Sequence, residues 1–268
     1  MSNLNQLAMA REIFPPTYRA SSKTTPSSIN SNDRLNLVME SYHQFLHNTP
    51  FMNLHWDEYL LDRITNKPSI ISNDELQQFL TLSQGWERHS YYPIATGMFI
   101  SYLMGQAHRR EENSIDQFNL DFSGLKPMSF VASYLKEKVG KKLEVTLRGG
   151  VGSSCSYYCE GGTYYIENAG HLCATYSSRT NFYFRKSGLE VGHGSARCTL
   201  YIDSLNYDLG HLWDCVTTSN FHTANPTLYK HLTTYYMNDL GATFKLYDDY
   251  REWDKVWDVA RRKLGEKI

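Results

Sequence analysis

Four short segments of alternating apolar and polar residues recur along the middle of the chain at a nearly constant spacing. They begin at Val145, Tyr164, Phe182 and Leu200, and the first step is one position longer than the two equal steps that follow. Alternation with a period of two is typical of a β-strand with one buried face. A short fixed repeat indicates the stacked coils of a solenoid. The predicted fold class is α+β, with a short right-handed parallel β-helix of about 18 residues per coil, flanked by helical N- and C-terminal regions.

The alternating positions form columns that repeat from coil to coil. The first and third positions are apolar throughout, and the third holds Leu147, Ile166, Phe184 and Ile202. These two columns are predicted to point inward, because side chains alternate across a strand. The second position is expected to form an outward stripe of Thr146, Tyr165, Tyr183 and Tyr201.

Charges at the fourth position support this register independently. The column reads Arg148, Glu167, Arg185 and Asp203, so the sign of the charge alternates along the predicted stack. Neighbouring parallel strands lie about 4.8 Å apart, a spacing at which opposite charges attract and like charges repel. The apolar columns alone set the register, and the charge order agrees with it.

Small residues mark the corner that follows each strand. A glycine or asparagine recurs at the spacing of the repeat, at Gly152, Gly170, Gly188 and Asn206. We interpret this column as a turn that requires positive φ. A second inward column is predicted at Cys155, Cys173, Val191 and Leu209. The next column holds Ser156, Ala174, Gly192 and Gly210, which a narrow corner with close backbone approach explains.

All five cysteines lie in the repeat region, and two of them are in register in adjacent coils. The Cα atoms of Cys155 and Cys173 are expected about 5 Å apart, within reach of a disulfide. Three interpretations stay open: reduced thiols that pack like small apolar side chains, a disulfide, or a metal site.

The glycine-rich corners resemble those of a known superfamily. The run from Glu160 to Gly170, preceded by Arg148–Gly152, is similar to the coils of the GXGXG β-helix superfamily. That superfamily includes the C-terminal domain of glutamate synthase, a subunit of formylmethanofuran dehydrogenase and uncharacterised prokaryotic proteins with helices ahead of the coils. The resemblance covers roughly residues 143–216 and implies a β-helix. It says almost nothing about chemistry, since in glutamate synthase this domain resembles a structural spacer and not the catalytic centre. Lys186, Ser187 and Leu205 depart from the glycine pattern.

Composition divides the chain into four regions. We predict a flexible N-terminal arm, a helical domain, the β-helix and C-terminal capping helices, with the bounds 1–32, 33–115, 116–220 and 221–268. Phe118–Phe122 alternates like a partial first coil. The helices are expected to cover the open ends of the stack, because an uncovered coil exposes apolar columns and unpaired strand edges.

Helix boundaries follow from capping residues. Ser72 and Glu75 form a capping-box pattern, and Asn225 followed by Pro226 is a strong helix start. The last helix is predicted from about Asp248 to Leu264. Its apolar stripe includes Trp253 and Trp257, with acidic residues at its start and basic residues at its end, as the helix dipole favours.

Charge and hydropathy argue against two classes of partner. The formal net charge of the 268 residues is −1, which gives no strong signal for nucleic-acid binding. No stretch approaches the roughly 18 apolar residues of a membrane span, so no membrane partner is expected. A cytoplasmic protein is the default expectation.

Candidate chemistry is sparse, and we assign no catalytic residue, no metal site and no cofactor. His193 and His211 share a column and could bind a metal ion, but a ladder of partly exposed rings explains them as well. Gly149, Gly150 and Gly152 lack the helix and the Lys-Ser/Thr pair of a phosphate loop.

The function expected is therefore a non-enzymatic scaffold or protein-interaction protein built on the β-helix. The candidate interaction surface consists of Tyr165, Tyr183, Tyr201, Arg148, Glu167 and Arg185. A helix of the same chain, through Trp253 and Trp257, or a protein partner or second copy could cover this stripe. The alternative is an enzyme or small-ligand-binding protein with a site between the helices and the β-helix face.

Overall fold

The computed structural model describes residues 31–48, 70, 72–110, 114–205, 215–237 and 241–265. The helices are α1 (Ser31–Asn48), α2 (Asn73–Ser83), α3 (Tyr92–Arg109), α4 (Pro226–Tyr235) and α5 (Tyr250–Leu264). The first strands are β1 (Gln117–Phe122), β2 (Glu144–Gly150), β3 (Thr163–Asn168), β4 (Asn181–Ser187) and β5 (Ala196–Leu205). The later strands are β6 (Cys215–Val216), β7 (Thr218–Thr223), β8 (Tyr236–Met237) and β9 (Thr243–Leu246).

The repeat forms a parallel β-solenoid of about 5 turns, as predicted. Seven strands make one sheet in the order β1-β2-β3-β4-β5-β7-β9, and every neighbouring pair is parallel. Tyr164 pairs with Val145 on one side and with Phe182 on the other, so the register matches the apolar columns. Strand β9, which returns to the sheet after α4, was not predicted from the sequence.

The solenoid and the helices ahead of it share one continuous hydrophobic core. Helix α3 packs directly on the corner that follows β1. The hydroxyl of Ser101 donates to the carbonyl of Phe130 at 2.6 Å and accepts from the N–H of Ser133 at 3.0 Å. A β-carbon on Gly97 would clash with the backbone of Ser129. Helix α3 therefore covers the N-terminal end of the stack. The region boundaries drawn from composition stay predictions.

Glycine occupies the corner column for a reason other than the positive φ that the sequence predicted. Gly152, Gly170 and Gly188 do not have positive φ. A β-carbon on Gly170 would lie 2.7 Å from the carbonyl carbon of Gly152, and one on Gly188 would strike the backbone of Gly170. These glycines allow the corner of each coil to rest backbone on backbone against the previous one. Asn206 lies outside the described residues.

Left-handed backbone occurs instead a few residues later in each corner. Three alternate positions per coil have φ between 54° and 74°: Phe130, Ala132 and Tyr134; Ser154, Ser156 and Tyr158; Leu172, Ala174 and Tyr176; Glu190, Gly192 and Gly194. Their N–H groups point alternately to the two neighbouring coils. The N–H of Ser154 donates to His171 O at 2.7 Å, and that of Ser156 donates to Val131 O at 2.8 Å. A left-handed non-glycine residue costs roughly 1–2 kcal/mol, and these inter-coil hydrogen bonds offset that strain.

Two side-chain amides on α2 close the exposed edge of the sheet. Asn73 donates to the carbonyl of Gln117 at 2.8 Å and accepts from the N–H of Asn119 at 3.1 Å. One turn later, Gln77 exchanges two hydrogen bonds of 2.9 Å with the N–H and carbonyl of Asp121. The two amides thus occupy the backbone groups that a further strand would pair with, which protects an edge prone to association.

The helix caps that the sequence predicts are present. The hydroxyl of Ser72 accepts from the N–H of Glu75 at 3.1 Å, and the Asn225 side chain accepts from Leu228 N at 3.1 Å. Asp249 caps α5, so this helix begins slightly later than expected. Across the described ranges, the helices are too short or too polar to cross a membrane.

Backbone packing at the glycine column leads to a first prediction. Gly170→Ala should lower the free energy of unfolding by about 1–3 kcal/mol or more, because the methyl group forces two coils apart. Gly85→Ala is the matched control, since a β-carbon there has no neighbour within 4 Å. That control should change stability by less than about 1 kcal/mol. Urea unfolding of both variants measures the difference, and equal midpoints would contradict backbone stacking of the coils.

The amide cap leads to a second prediction. Replacing Asn73 and Gln77 with alanine removes four hydrogen bonds from the β1 edge. We expect a loss of about 1–2 kcal/mol and association that grows with protein concentration. Gln78→Ala, at an exposed position of the same helix, should leave both unchanged. Sedimentation velocity at several concentrations and urea unfolding provide the readouts; a double variant that stays unassociated and fully stable would show that the amides do not protect the edge.

Candidate functional site

The predicted tyrosine stripe forms a continuous stack on the outer face of the sheet. The ring centroids of Tyr165 and Tyr183 are 5.1 Å apart, and those of Tyr183 and Tyr201 are 4.5 Å apart. His222 extends the stack, with its ring 4.8 Å from that of Tyr201. Strand pairing holds these side chains in register, as the columns of the repeat predict.

Helix α5 covers this stripe. Its two indole rings stack on each other at 5.4 Å, and Trp257 lies 6.0 Å from the ring of Tyr183. Trp253 Nε1 donates to Asp203 at 3.3 Å. Tyr165 is 5% exposed as a result. Burial, and then the neighbouring Tyr201 and Tyr165 side chains, raise the pKa of Tyr183 above its usual value. The alternative in which the chain covers its own stripe is therefore confirmed, whereas a contact with another protein at these residues stays a prediction.

The charged column is present, and a bulge interrupts it at its first member. The pairing shifts by one residue between Leu147 and Gly150, which explains the longer first step of the repeat. Glu167 accepts from Arg185 at 2.9 Å and from the N–H of Gly149 at 2.7 Å. Arg148 stays exposed and has no ion-pair partner among the described residues.

An open polar cleft lies where α2 passes beside the first two strands. It has a volume of about 380 Å³ and is lined by Gln77, Thr81, Gln84, Asn119, Asp121 and Arg148, among others. Hydrogen bonds from Ser123, followed by the charge of Arg148, lower the pKa of Asp121. The cleft therefore presents a guanidinium beside an ionised carboxylate, with amide and hydroxyl groups on its other wall.

A second tyrosine ladder lies on the corner of the coils and was not predicted from the sequence. The rings of Tyr134 and Tyr158 are parallel at 5.8 Å, and those of Tyr158 and Tyr176 lie 5.1 Å apart. Tyr158 and Tyr176 are 46% and 43% exposed. The ring of Tyr176 rests on the backbone of Gly194, where the next side chain of the ladder would be. The regular spacing of Tyr158, Tyr176 and Gly194, one coil apart, was the available signal.

The sulfur column consists of buried thiols. Cys155 and Cys173 are free, and their sulfur atoms are 2.9 Å apart. Burial raises the pKa of Cys155 well above its usual value. His193 is half-buried, and His211 lies outside the described residues, so their pairing stays untested. The described part of the chain holds no group of three or more His, Cys, Asp or Glu side chains arranged to bind a metal ion.

Three imidazoles also meet at the end of α1, away from the coils. The ring of His47 lies 4.4 Å from that of His43 and 5.2 Å from that of His89. Burial and the two neighbouring rings lower the pKa of His47 to about 4. Burial is also the main cause of the lowered pKa of His43 and of His89. These depressed pKa values favour neutral rings at pH 7, and the cluster packs near Trp86.

Comparison with known proteins adds no identity: no family model, no curated protein and no solved structure matches the chain.

Proposed function

We propose that this protein is a non-enzymatic scaffold that binds another protein through the corner face of its β-helix. The observation that carries the proposal is the exposure of Tyr158 and Tyr176 on backbone held by bonds to two neighbouring coils. Tyrosine is enriched at the energetic centres of protein interfaces, because it buries a large area and has few torsions to restrict. A rigid surface also loses little conformational entropy on binding.

Other parts of the outer surface are already occupied within the chain, which leaves the corner face for a partner. Helix α5 already covers the first tyrosine stripe, and the amides of α2 occupy the β1 edge. In the corner ladder, the rings of Tyr134 and Tyr158 are parallel, and those of Tyr158 and Tyr176 are tilted by 33°. Neighbouring rings therefore cover part of each other, while Tyr158 and Tyr176 stay 46% and 43% exposed. A partly exposed aromatic surface of this kind suits a protein partner.

A relationship with the GXGXG β-helix superfamily is part of this proposal. The glycine column that stacks backbone on backbone supports it. A cytoplasmic location is proposed as well, because thiols 2.9 Å apart, as in Cys155 and Cys173, persist in reducing compartments.

A random dodecapeptide library displayed on phage tests the proposed surface. Peptides selected on the immobilised full-length protein should lose at least tenfold in affinity for the variant carrying Tyr158→Asn and Tyr176→Asn. Asparagine tolerates the left-handed backbone at both positions. Tyr250→Asn, at a tyrosine that is 65% exposed on α5, is the control and should bind normally. Fluorescence anisotropy measures the affinities, and selected peptides that bind both variants equally would refute the proposed surface.

A second candidate function rests on the polar cleft beside α2. Arg148 could bind a small carboxylate or phosphate, since a guanidinium forms paired hydrogen bonds with either anion. The amide and hydroxyl groups of α2 would orient such a ligand. This candidate corresponds to the expected site between the helices and the β-helix face.

Thermal unfolding with succinate, L-glutamate and inorganic phosphate tests the cleft. A ligand at one hundred times its Kd should stabilise the protein by about 2.7 kcal/mol, and Arg148→Gln should abolish the shift. Arg251→Gln, at an arginine whose side chain is 87% exposed on α5, should retain it. Absence of any shift, or a shift that survives Arg148→Gln, would exclude this candidate for those anions.

A further inference from the structure

Two arginines stand in register beside the corner ladder, in backbone that disfavours them. The column after the ladder holds Gly161, Arg179 and Arg197, which recur at the spacing of the coils. All three have positive φ, at 76°, 54° and 56°. Glycine suits that conformation, whereas a residue with a β-carbon is strained there.

Neither arginine side chain is buried in the core. The Arg179 side chain is 62% exposed, and Arg197 is also exposed. Arg179 pairs with Glu160, and an ion pair this exposed contributes little to stability. Arg197 has no ion-pair partner in the part of the chain that the structure describes. The N–H of Arg179 donates to the carbonyl of Ala196 at 3.1 Å, and this inter-coil hydrogen bond offsets the strain there. The bond uses only the backbone, which glycine would supply equally well, so the contacts of the described residues do not require an arginine side chain at either position.

The neighbouring column leaves the strip cationic at its Arg197 end, because its one carboxylate, Glu160, pairs with Arg179. Lys136, Glu160, Ser178 and Ala196 are paired from coil to coil through single parallel bridges. Ser178 and Ala196, in the coils that carry the two arginines, contribute no charge. Glu137 is also close to Gly161. Its carboxylate accepts from the N–H groups of Leu143 and Gly162, which hold the side chain in place but do not cancel its charge, so the unpaired positive charge of the strip lies at Arg197.

We infer that the partner of the corner face is an acidic protein segment, whose carboxylates bind Arg179 and Arg197 while its apolar side chains contact Tyr158 and Tyr176. This inference rests on the proposed function and specifies the chemistry of the partner. The Cα atoms of the two arginines lie about one strand spacing apart, roughly 4.8 Å. Carboxylates two positions apart on an extended peptide lie on the same face, about 6.6 Å from each other. The long arginine side chains can span this difference, so both guanidinium groups can form charge-assisted hydrogen bonds with one peptide.

The same dodecapeptide selection tests this inference through the amino-acid composition of the selected peptides. Peptides that depend on Tyr158 and Tyr176 should contain Asp and Glu at least about threefold more often than the unselected library. Their affinity should fall at least tenfold for the variant carrying Arg179→Gly and Arg197→Gly. An increase in NaCl from 50 to 300 mM should weaken binding to the wild type more than to this variant, because exposed charges are screened.

The glycine variant also separates loss of binding from loss of structure. Glycine relieves the left-handed strain, so the thermal midpoint should stay the same or rise. Arg262→Ala is the matched control, because that side chain is also 62% exposed and also pairs with a carboxylate; it should bind normally.

Three outcomes are distinguishable. Acidic, arginine-dependent peptides would support the inference. Tyrosine-dependent peptides without acidic enrichment, or with full affinity for the Arg179→Gly/Arg197→Gly variant, would overturn it and leave the proposed function standing. A selection with no tyrosine-dependent peptides would overturn both.

Discussion

The distance between successive coils is the constraint on which the rest of this structure depends. A coil buries its inward columns only against its neighbours, one strand spacing away, so the corners must approach as closely as the strands do. At Gly152, Gly170 and Gly188 the approach is backbone to backbone and leaves no room for a β-carbon. The left-handed residues that follow direct their N–H groups alternately to the coil on either side. Hydrogen bonding of the corners thus follows from the same spacing as packing of the core.

Such a stack leaves open ends and an open face, and each is covered by a different type of contact. At the β1 edge, Asn73 and Gln77 replace a missing strand with two side-chain amides one helical turn apart. On the outer face, the indoles of Trp253 and Trp257 pack against the tyrosine stack. The amide contact at the β1 edge consists of hydrogen bonds, because the backbone N–H and C=O groups there lack a neighbouring strand. The contact of α5 is apolar, because exposed aromatic rings would favour association with other molecules. Because α2 and α5 occupy these two surfaces, only the remaining surfaces of the solenoid are accessible for binding.

Helix α5 packs on the three tyrosines of the predicted interaction surface, whereas Arg148 of that surface stays exposed. The corner ladder and the polar cleft stay accessible, and the arginines beside the ladder occupy backbone that glycine would suit better. An exposed arginine at a position where glycine would make the same backbone hydrogen bond is more informative about function than the tyrosines alone, because apolar atoms are common on protein surfaces.

The sequence by itself determined the features that depend on local pattern or on period: the strand register, the inward columns, the tyrosine stack and the helix starts at Ser72 and Asn225. Only the tertiary structure decided how close the coils come and which groups meet across the chain. The glycine column looked like a set of turns, because glycine permits positive φ and close approach equally well, and the neighbouring coil decides which of the two it serves. The amide cap joins residues more than 40 positions apart, and β9 joins the sheet after an intervening helix. Exposure of Tyr158 and Tyr176 depends on where the helices pack. These contacts and exposures depend on residues far apart in the sequence, so a local pattern does not predict them. The tertiary structure therefore decides which surface is accessible.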